Sequence, residues 1–368
     1  MEPVRMEADS AYTGELADGC VYCRRGSKMV LFVTGLCPNS CFYCPVSEKK
    51  SGRDVIYANE RLVSGTEEEI AEQIIDEARL MDAEGTGITG GDPLAVADRT
   101  ASLIRLLKEA FGPEHHIHLY TTVTSEVAIR KVAEAGLDEI RFHPDESLWA
   151  DIENTPYRDA VKLSMGLGMD VGFEIPVIPG MEEEIMALIR SAGRLGMDFV
   201  NLNELEFSDN NRPAMEERGF VQKNEIDYGV LGSEEEAYRI LRDCRAKIPV
   251  HYCSASFKNS VQLRLRIKRR AENVARKYDY ITEDGTLVRG LITGGDPQEI
   301  IAYMRDEFGI PEDMLGMEGD KVYTASWILE EIFEDYLENF PNGLPFEFYI
   351  VEEYPTADRL EVERTPLP

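Results

Sequence analysis

The sequence predicts an α/β fold in which parallel strand–helix units are followed by a smaller C-terminal α+β domain. Three observations support this prediction. Short apolar strands alternate with amphipathic helices up to residue 206, a buried strand leads into a cysteine-rich loop, and the pattern changes after residue 255. Strands separated by helices of this length imply parallel pairing through right-handed crossovers. We therefore predict three regions, namely 1–28, 29–255 and 256–368.

The composition is that of a globular protein, and it limits the partners. The 368 residues are 43% hydrophobic and 29% charged, and the net charge of −30 disfavours broad binding to nucleic acid. The seven cysteines are odd in number and unevenly spread, which indicates a reducing compartment rather than a disulfide framework. Residues 1–19 are polar and are expected to be extended or loosely packed. There is no apolar run of membrane-spanning length and no signal-peptide pattern, so we expect a cytoplasmic protein without membrane contact.

A C-x2-C pair, Cys20 and Cys23, follows the polar N-terminus. Two cysteines at this spacing can chelate one metal ion but do not fill a tetrahedral site. The remaining ligands would be Cys253 and either Cys244 or His251. This predicts a second metal site for zinc, iron or an auxiliary iron–sulfur cluster, and the alternative is that Cys244 and Cys253 are small core residues.

A buried strand, Met29 to Thr34, leads into a loop with three cysteines, Cys37, Cys41 and Cys44. Their spacing is C-x3-C-x2-C, and Tyr43 precedes the last of them. Three thiolates on one short loop can face a common centre, and such soft ligands select iron–sulfur clusters, zinc or copper(I). The alternative is a structural zinc loop in a metal-binding module that is not an enzyme.

This loop resembles the signature of the radical S-adenosylmethionine (SAM) superfamily, in which an aromatic residue stands where Tyr43 does. The resemblance implies that the three cysteines bind a [4Fe-4S] cluster whose open iron binds the amino and carboxylate groups of SAM. It implies that an electron, supplied by ferredoxin or flavodoxin, cleaves SAM to a 5′-deoxyadenosyl radical. It also implies a partial (β/α)6 barrel, with ligands at the carboxyl ends of the strands.

The elements of this barrel are predicted in regular succession. Thr66 and Glu69 form a capping box that opens the first helix, because each side chain satisfies a backbone N–H of the other. Further strands are predicted at 85–89, 116–122, 139–143, 170–178 and 199–205, and the helices between them at 95–111, 126–135, 157–167 and 183–195. A long polar loop at 207–230 is followed by a helix at 233–246 and a strand at 248–252. That strand could add a seventh unit or stop at the barrel edge.

The segment Gly90, Gly91, Asp92, Pro93 ends the second strand and opens a helix, with Asp as the N-cap and Pro in the first turn. It resembles the Gly-Gly-Glu-Pro motif that contacts the SAM amino group in the superfamily, with Asp in place of Glu. The paired glycines let the backbone approach a ligand closely.

Other candidates for SAM binding lie at predicted strand ends, where hydroxyl, guanidinium and imidazole groups could bond ribose or carboxylate. They are Thr121, Arg141 and His143, together with Ile178, whose segment resembles the superfamily's fifth-strand segment beside adenine. Polar groups suited to positioning a substrate are Glu174, Asn201, Asn203 and Glu204. Each of these could instead be an ordinary barrel residue.

The C-terminal region contains the hexapeptide Ile-Thr-Gly-Gly-Asp-Pro a second time, at Ile292 to Pro297, where we expect only a strand-to-helix turn. A basic segment at 257–278 precedes it. We interpret that segment as a solvated face, with a patch for an acidic substrate or RNA as the alternative. Helix and strand are both open for 263–268, where the pattern has period two. A hairpin at 280–291, a helix from Pro297, a helix at 326–340 and a strand at 346–354 complete the domain.

The resemblance is closest to archaeal proteins related to pyruvate formate-lyase activating enzymes. It implies hydrogen abstraction from an unactivated carbon, and the added elements suggest a protein, peptide or RNA substrate. The second hypothesis is a cobalamin-dependent radical SAM C-methyltransferase that acts on a protein. Some methylases of methanogen proteins combine a similar core with an added cysteine metal site, but the sequence has no cobalamin motif of the Asp-x-His-x-x-Gly type.

Overall fold

The computed structural model describes residues 2–224, 228–244, 247–339 and 346–367, with the backbone alone for 334–339. The chain divides into two compact units, Met1–Arg79 with Ala83–Leu263 and Leu80–Asp82 with Arg264–Pro368. Within the described residues, no helix has the length and apolar character needed to span a membrane.

The first unit is built on a sheet whose central strands are parallel. Its strands are β1 (Val4–Arg5), β2 (Ala11–Thr13), β3 (Lys28–Phe32), β4 (Ile56–Ala58), β5 (Arg61–Val63), β6 (Gly85–Thr89), β7 (His116–Thr121), β8 (Glu139–Phe142), β9 (Asp170–Val177), β10 (Phe199–Glu204) and β11 (Val250–Cys253). Their order is β1-β2-β11-β10-β9-β8-β7-β6-β3-β4-β5. The run from β11 to β3 is parallel. The predicted α/β fold is confirmed, and β11 extends the parallel run by a seventh strand.

Among the described residues, six of the nine α-helices of this unit lie close to predicted positions, and those at 18–24, 212–217 and 255–257 were not predicted. The nine are α1 (Asp18–Arg24), α2 (Glu67–Leu80), α3 (Ala97–Phe111), α4 (Glu126–Glu134), α5 (Tyr157–Gly166), α6 (Glu182–Leu195), α7 (Arg212–Glu217), α8 (Ser233–Asp243) and the short α9 (Ala255–Phe257). The predicted capping box opens α2, since Thr66 N donates to Glu69 Oε2 over 2.8 Å and Glu69 N donates to Thr66 Oγ1 over 3.3 Å.

One face of the parallel strands carries polar side chains that are nevertheless buried. They are Lys28, His116, His118, Glu139, Arg141, Glu174, Asn201 and His251. Many of them contact one another: Lys28 Nζ lies 2.6 Å from His116 Nδ1 and 3.0 Å from His118 Nδ1. A Cβ on Gly87 would lie 2.7 Å from His118 Nε2, so the neighbouring strand needs glycine at that position. Because buried polar groups require partners, this network depends on residues that are far apart in sequence.

The N-terminal segment is partly extended, as predicted, but it is not loosely packed. Strand β2 pairs antiparallel with β11 and thereby covers the edge of the parallel run. Helix α1 follows, and a Cβ on its Gly19 would lie 2.6 Å from Arg141 Nη2 and 2.7 Å from Glu139 Oε1. Of the two expected alternatives, β1 and β2 therefore show the extended one. Helix α1 was not predicted, because glycine lets it approach buried charged groups of β8 that the local sequence does not reveal.

The second unit contains an antiparallel sheet and three helices in its described residues. The strands are β12 (Tyr280–Ile281), β13 (Leu287–Thr293), β14 (Gly316–Glu318), β15 (Lys321–Thr324), β16 (Glu347–Glu353) and β17 (Glu361–Pro366), and the helices are α10 (Arg264–Val274), α11 (Pro297–Phe308) and α12 (Ser326–Asn339). The strand order is β14-β15-β13-β16-β17, with β12 paired to β13. This agrees with a C-terminal α+β unit that contains a hairpin at its start.

The secondary structure that the sequence left open at 263–268 is a helix. A π-helical turn, Lys258–Leu263, leads directly into α10. Its two-residue period misleads because the buried residues of α10, namely Ile267, Arg270 and Ala271, include a basic one. Residue 340, the last residue of the predicted helix at 326–340, lies outside the described residues.

Candidate active site

A cavity of about 630 Å³ opens at the carboxyl ends of the parallel strands. Its wall combines the cysteine loop after β3 with residues from the ends of β6 to β11 and from α1. In a parallel sheet these strand ends meet at one edge, which is where ligands of such folds bind. The position of the cavity follows from the topology, while its chemistry depends on the side chains described below.

The three signature cysteines, Cys37, Cys41 and Cys44, all line this cavity. Cys37 is exposed and the other two are half-buried. Burial raises the pKa of Cys41 to about 11 and also raises the pKa of Cys37. The protonated thiols would therefore release their protons when a metal or cluster binds. Soft sulfur donors from one loop are the right donor type for an iron–sulfur cluster.

Within the described residues, no three His, Cys, Asp or Glu side chains are already arranged around one point as in a metal site. The loop that presents the cysteines is nevertheless tightly constrained. Gly35 N donates to Arg53 O over 2.7 Å, and Gly52 N donates to Gly35 O over 2.8 Å. A Cβ on Gly35 would lie 1.7 Å from Lys50 O, so glycine is required at the start of the loop.

Tyr43 connects the cysteine loop to β8 and β9. His143 Nδ1 lies 2.6 Å from the backbone carbonyl of Glu174, so this nitrogen must carry the proton. His143 Nε2 then accepts from the Tyr43 hydroxyl over 3.1 Å. Burial lowers the pKa of His143, which agrees with a neutral ring. On its other side the loop is held by Asn211, whose Nδ2 donates to Tyr43 O over 3.0 Å.

The segment after β10, predicted as one long loop, covers part of the cysteine loop. It contains α7 and two antiparallel bridges, Glu206 with Gly229 and Gln222 with Val230. The Phe220 ring stacks on the Phe42 ring with centroids 5.9 Å apart. The Arg218 guanidinium lies 4.4 Å from the centroid of the Phe42 ring. The cysteine loop therefore has an aromatic and a cationic contact at Phe42, the residue that follows Cys41.

Asp92 is completely buried, and its carboxylate is fully occupied within the protein. Oδ1 accepts from Leu94 N over 2.9 Å and from Thr121 Oγ1 over 2.8 Å. Oδ2 accepts from Thr122 N over 2.7 Å and from Thr122 Oγ1 over 2.8 Å. A carboxylate has about four acceptor sites. In this structure Asp92 therefore joins the ends of β6 and β7 and has no acceptor left for a SAM amino group.

The paired glycines before Asp92 are required by the protein itself. A Cβ on Gly90 would lie 2.5 Å from Thr34 O, and one on Gly91 would lie 2.4 Å from Leu36 O. Both obstacles are backbone atoms at the start of the cysteine loop. The glycines thus allow the loop and the end of β6 to pack together, while both residues also line the cavity.

The predicted SAM-binding residues fall into two groups. Those that line the cavity are Tyr43, Gly90, Gly91, Thr121, Arg141 and His143. The other predicted SAM-binding residues are Asp92, Pro93 and Ile178, which are buried and are not among the described residues of the cavity wall. Arg141 differs from the expectation for a strand-end ligand: it donates from Nε to Glu139, from Nη1 to Glu174 over 2.8 Å and from Nη2 to Cys20 Sγ over 3.4 Å.

Three of the four predicted substrate-positioning residues form one network on β9 and β10. Glu174 Oε1 accepts from Asn203 Nδ2 over 2.7 Å, and Glu174 Oε2 accepts from Asn201 Nδ2 over 2.8 Å. All of these residues and Glu204 line the cavity. This network supplies fixed polar groups to the cavity wall.

The second group of predicted metal ligands is only partly brought together. Cys20, Cys23 and Cys253 line the same cavity, and so does His251. Cys244 ends α8 and is not among the described residues of the cavity wall. Burial raises the pKa of Cys253 to about 12 and lowers that of His251 to about 3.

The residues of the cavity wall that sequence reasoning missed include Tyr120, Lys258 and Gln262. Tyr120 could have been found, because it lies two and four residues after His118 and His116 on the same face of β7. The two others belong to the π-helical turn, which the sequence indicated only as basic. Lys258 Nζ lies 2.9 Å from Glu206 Oε1, a contact that no local pattern announces.

Comparison with known protein families gives two matches. The family described as Radical SAM superfamily matches residues 31–192. The family described as Domain of unknown function (DUF8061) matches residues 285–367. A protein of Methanocaldococcus jannaschii is 40% identical over 362 residues, which are 96% of this chain and 93% of that protein. Its name assigns it provisionally to the glycyl-radical enzyme activating enzymes.

Similar solved structures include methylornithine synthase, with a TM-score of 0.40 and 16% identity over 62% of this chain and 70% of that chain. Streptococcus suis SuiB bound to S-adenosylmethionine has a TM-score of 0.39 and 12% identity over 62% of this chain and 50% of its own. HydG, a maturase of the [FeFe]-hydrogenase, has a TM-score of 0.38 and 11% identity over 68% of this chain and 65% of its own.

Proposed function

The chain belongs to the radical SAM superfamily, and on that premise we propose that Cys37, Cys41 and Cys44 hold a [4Fe-4S] cluster beside a SAM molecule in the cavity. One arrangement carries the proposal: the signature cysteines and the Gly90–Gly91 pair line a single cavity at the carboxyl ends of parallel strands. When bound, the cluster supplies the electron that cleaves SAM to a 5′-deoxyadenosyl radical. The electron would come from a low-potential donor such as ferredoxin or flavodoxin.

The protein's own residues would hold the reactants and exclude water. Asp92 joins the ends of β6 and β7, so that Gly90 and Gly91 present backbone rather than side chains to the SAM amino group. Thr121, Arg141 and His143 line the wall beside this point. His143 has its Nε2 lone pair engaged by Tyr43, so it orients the cysteine loop rather than acting as a base. A dry, polar and preorganised cavity is what radical chemistry needs, because bound reactants must not meet solvent.

The substrate that this proposal favours is a protein or peptide. The M. jannaschii relative is named for activating a glycyl-radical enzyme, and activation of that kind acts on another protein. An RNA substrate has less support, because the net charge is −30 and Arg270 of the basic segment is buried, donating to Pro355 O over 2.6 Å. Glu174, Asn201 and Asn203 would position the hydrogen that is abstracted.

Cobalamin-dependent methylation of a protein is the alternative within the same superfamily. It would use the second unit, whose match is to a domain of unknown function and names no cofactor. Absorbance of bound cobalamin after reconstitution separates this alternative from hydrogen abstraction alone.

The test is anaerobic reconstitution with iron and sulfide, followed by reductant and SAM, with quantification of 5′-deoxyadenosine. We expect the parent chain to form deoxyadenosine, Cys41→Ala to form none, and Cys244→Ala to match the parent because Cys244 lies outside the described cavity wall. Formation of deoxyadenosine by Cys41→Ala would contradict the ligand assignment. If the cluster-loaded parent neither binds nor cleaves SAM, with or without candidate peptides, a metal-binding module without enzymatic activity is the better interpretation.

A further inference from the structure

A second set of metal-binding side chains lies in the same cavity as the signature loop but on other elements. Cys20 and Cys23 stand three residues apart on α1, a spacing that puts both on one helix face. His251 and Cys253 stand two residues apart on β11, a spacing that puts both on one strand face. All four line the cavity. Topology thus places three thiols and one imidazole together from two separate parts of the chain.

The hydrogen bonds of His251 determine which of its nitrogens is free. Its Nδ1 lies 2.6 Å from Asn201 Oδ1. Asn201 uses its amide nitrogen to donate to Glu174, so its oxygen is an acceptor and His251 Nδ1 must be the donor. The neutral ring then carries a lone pair on Nε2.

His251 is only 6% exposed, and its Nε2 atom is buried without a hydrogen-bond partner. A buried polar atom without a partner costs free energy, and each such atom in a native structure calls for an explanation. A histidine that ligates a metal usually donates its other ring N–H to a carbonyl or carboxylate, which fixes the ring. His251 already has this arrangement, with Asn201 in the role of the carbonyl.

We propose that Cys20, Cys23, Cys253 and His251 Nε2 form a closed tetrahedral site for one zinc or ferrous ion. The Cys3His donor set is one that structural zinc sites use. Binding would release three thiol protons and give a site of net charge −1, with the Arg141 guanidinium, 3.4 Å from Cys20 Sγ, offsetting that charge. The fourth ligand is His251 rather than Cys244, because Cys244 ends α8 away from the described cavity wall.

The present contacts of the thiols are weak enough to be exchanged for metal bonds. Cys20 Sγ lies 3.6 Å from Asn201 Oδ1, and Cys253 Sγ accepts from Gln262 Nε2 over 3.6 Å. The Cys20 and Cys253 side chains must rotate for the four donor atoms to surround one ion. The bound ion would link α1 to β11 and would therefore stabilise the first unit. Binding of the ion would not depend on SAM cleavage.

The experiment uses the full chain in which Cys37, Cys41 and Cys44 are replaced by Ala, so that the radical cluster cannot form. Zinc and iron per chain are measured by mass spectrometry after anaerobic purification. We expect one ion per chain, retained in a further Cys244→Ala variant and lost in Cys253→Ala and in His251→Asn. Asparagine keeps a donor to Asn201 but removes the Nε2 lone pair, so it tests ligation with little other change.

Substitution with cobalt(II) provides a second readout, since thiolate ligands in tetrahedral geometry produce strong visible absorption that Cys253→Ala should weaken. Far-UV circular dichroism identifies any variant that fails to fold. The cobalt spectra of the variants that do fold then show whether the replaced residue is a ligand of the ion. The proposal is overturned if the cluster-less chain binds no ion, or if His251→Asn and Cys253→Ala keep it. Loss of the ion in Cys244→Ala would also overturn it, because Cys244 would then be the ligand.

Discussion

The hexapeptide Ile-Thr-Gly-Gly-Asp-Pro occurs twice in this chain, and the two copies show what local sequence can and cannot specify. Each ends a strand and opens a helix, at Ile88 to Pro93 and at Ile292 to Pro297. In both copies the Asp side chain caps the helix that follows. The strand–turn–helix course therefore belongs to the hexapeptide itself.

The surroundings make the two copies different. Asp92 is buried and accepts from Thr121 and Thr122 of the next strand end, whereas Asp296 is exposed and accepts only from Gln298 N and Glu299 N among the described residues. The first copy thus connects two strands beside the cavity, and the second only begins α11. Identical residues acquire different roles because their neighbours differ.

Replacement of the second glycine of each copy should give the largest difference between the copies, measured as formation of 5′-deoxyadenosine. In Gly91→Ala the new Cβ meets the backbone oxygen of Leu36 at 2.4 Å, so the cysteine loop must move. Since a displacement of about 1 Å can cost about 10²-fold, we expect deoxyadenosine formation to fall by about that factor. Gly295→Ala meets the Phe346 ring at 2.4 Å instead, which is a side chain of the second unit. Its activity should equal that of the parent, and a loss as large as that of Gly91→Ala would remove the distinction.

The next effect concerns stability, on changing the carboxylate to an amide. Asp92→Asn would place an NH2 group against donors of Thr121 or Thr122, so we expect the first unit to lose about 2–3 kcal/mol. Urea unfolding followed by fluorescence of Trp149, which is buried in the first unit, measures this loss. Asp296→Asn is the matched control, because Asn is as good an N-cap as Asp. A first unit unaffected by Asp92→Asn would show that the four hydrogen bonds of Asp92 contribute little.

The units that carry the two copies should also respond differently to acid. Burial lowers the pKa of His115 and His116 to about 4, and it also lowers the pKa of His118 well below its ordinary value. Below the ordinary histidine pKa of 6.5, the unfolded chain takes up protons that the folded first unit does not. The free energy of unfolding of the first unit therefore decreases as the pH is lowered. The slope is about 1.4 kcal/mol per pH unit for each proton. Burial raises the pKa of Asp279 and Glu353 in the second unit, so protonation of these two groups favours the folded state and opposes a loss of stability as the pH falls.

Urea unfolding between pH 7 and pH 5 measures this contrast, with Trp149 fluorescence for the first unit and hydrogen exchange for β13 and β16 of the second. A Trp327→Phe background removes the exposed tryptophan of the second unit from the signal. His115→Gln should reduce the slope of the first unit. Equal slopes in both units would contradict the assignment of acid sensitivity to the buried histidines.

The smallest effect is expected for removal of the second helix cap. Asp296→Ala takes away the acceptor for Gln298 N and Glu299 N, which lie 2.9 and 3.2 Å from Asp296 Oδ1. Loss of an exposed N-cap costs about 1 kcal/mol, and we expect the second unit alone to show it by hydrogen exchange in α11. Any change in deoxyadenosine formation would mean that the second copy has a role beyond its turn.

Much of the fold followed from the sequence because the signals were local. Alternating apolar runs and a capping box located the strands and α2, and the cysteine spacing identified the signature loop. The packing of α1 was not predictable. It depends on Gly19 meeting Glu139 and Arg141, which are more than a hundred residues away and belong to strands that read locally as ordinary barrel strands.

Sequence alone determined the family, the strand–helix alternation and which residue types could bind a cluster or a metal ion, since these depend on spacing and chemistry along the chain. Tertiary structure decided that the Asp92 carboxylate is hydrogen-bonded within the protein, that Arg141 belongs to a buried network, and that His251, unlike Cys244, is among the described residues of the cavity wall. The physical reason is that a side chain's role is set by which distant groups satisfy its hydrogen bonds. The fold alone brings those groups together.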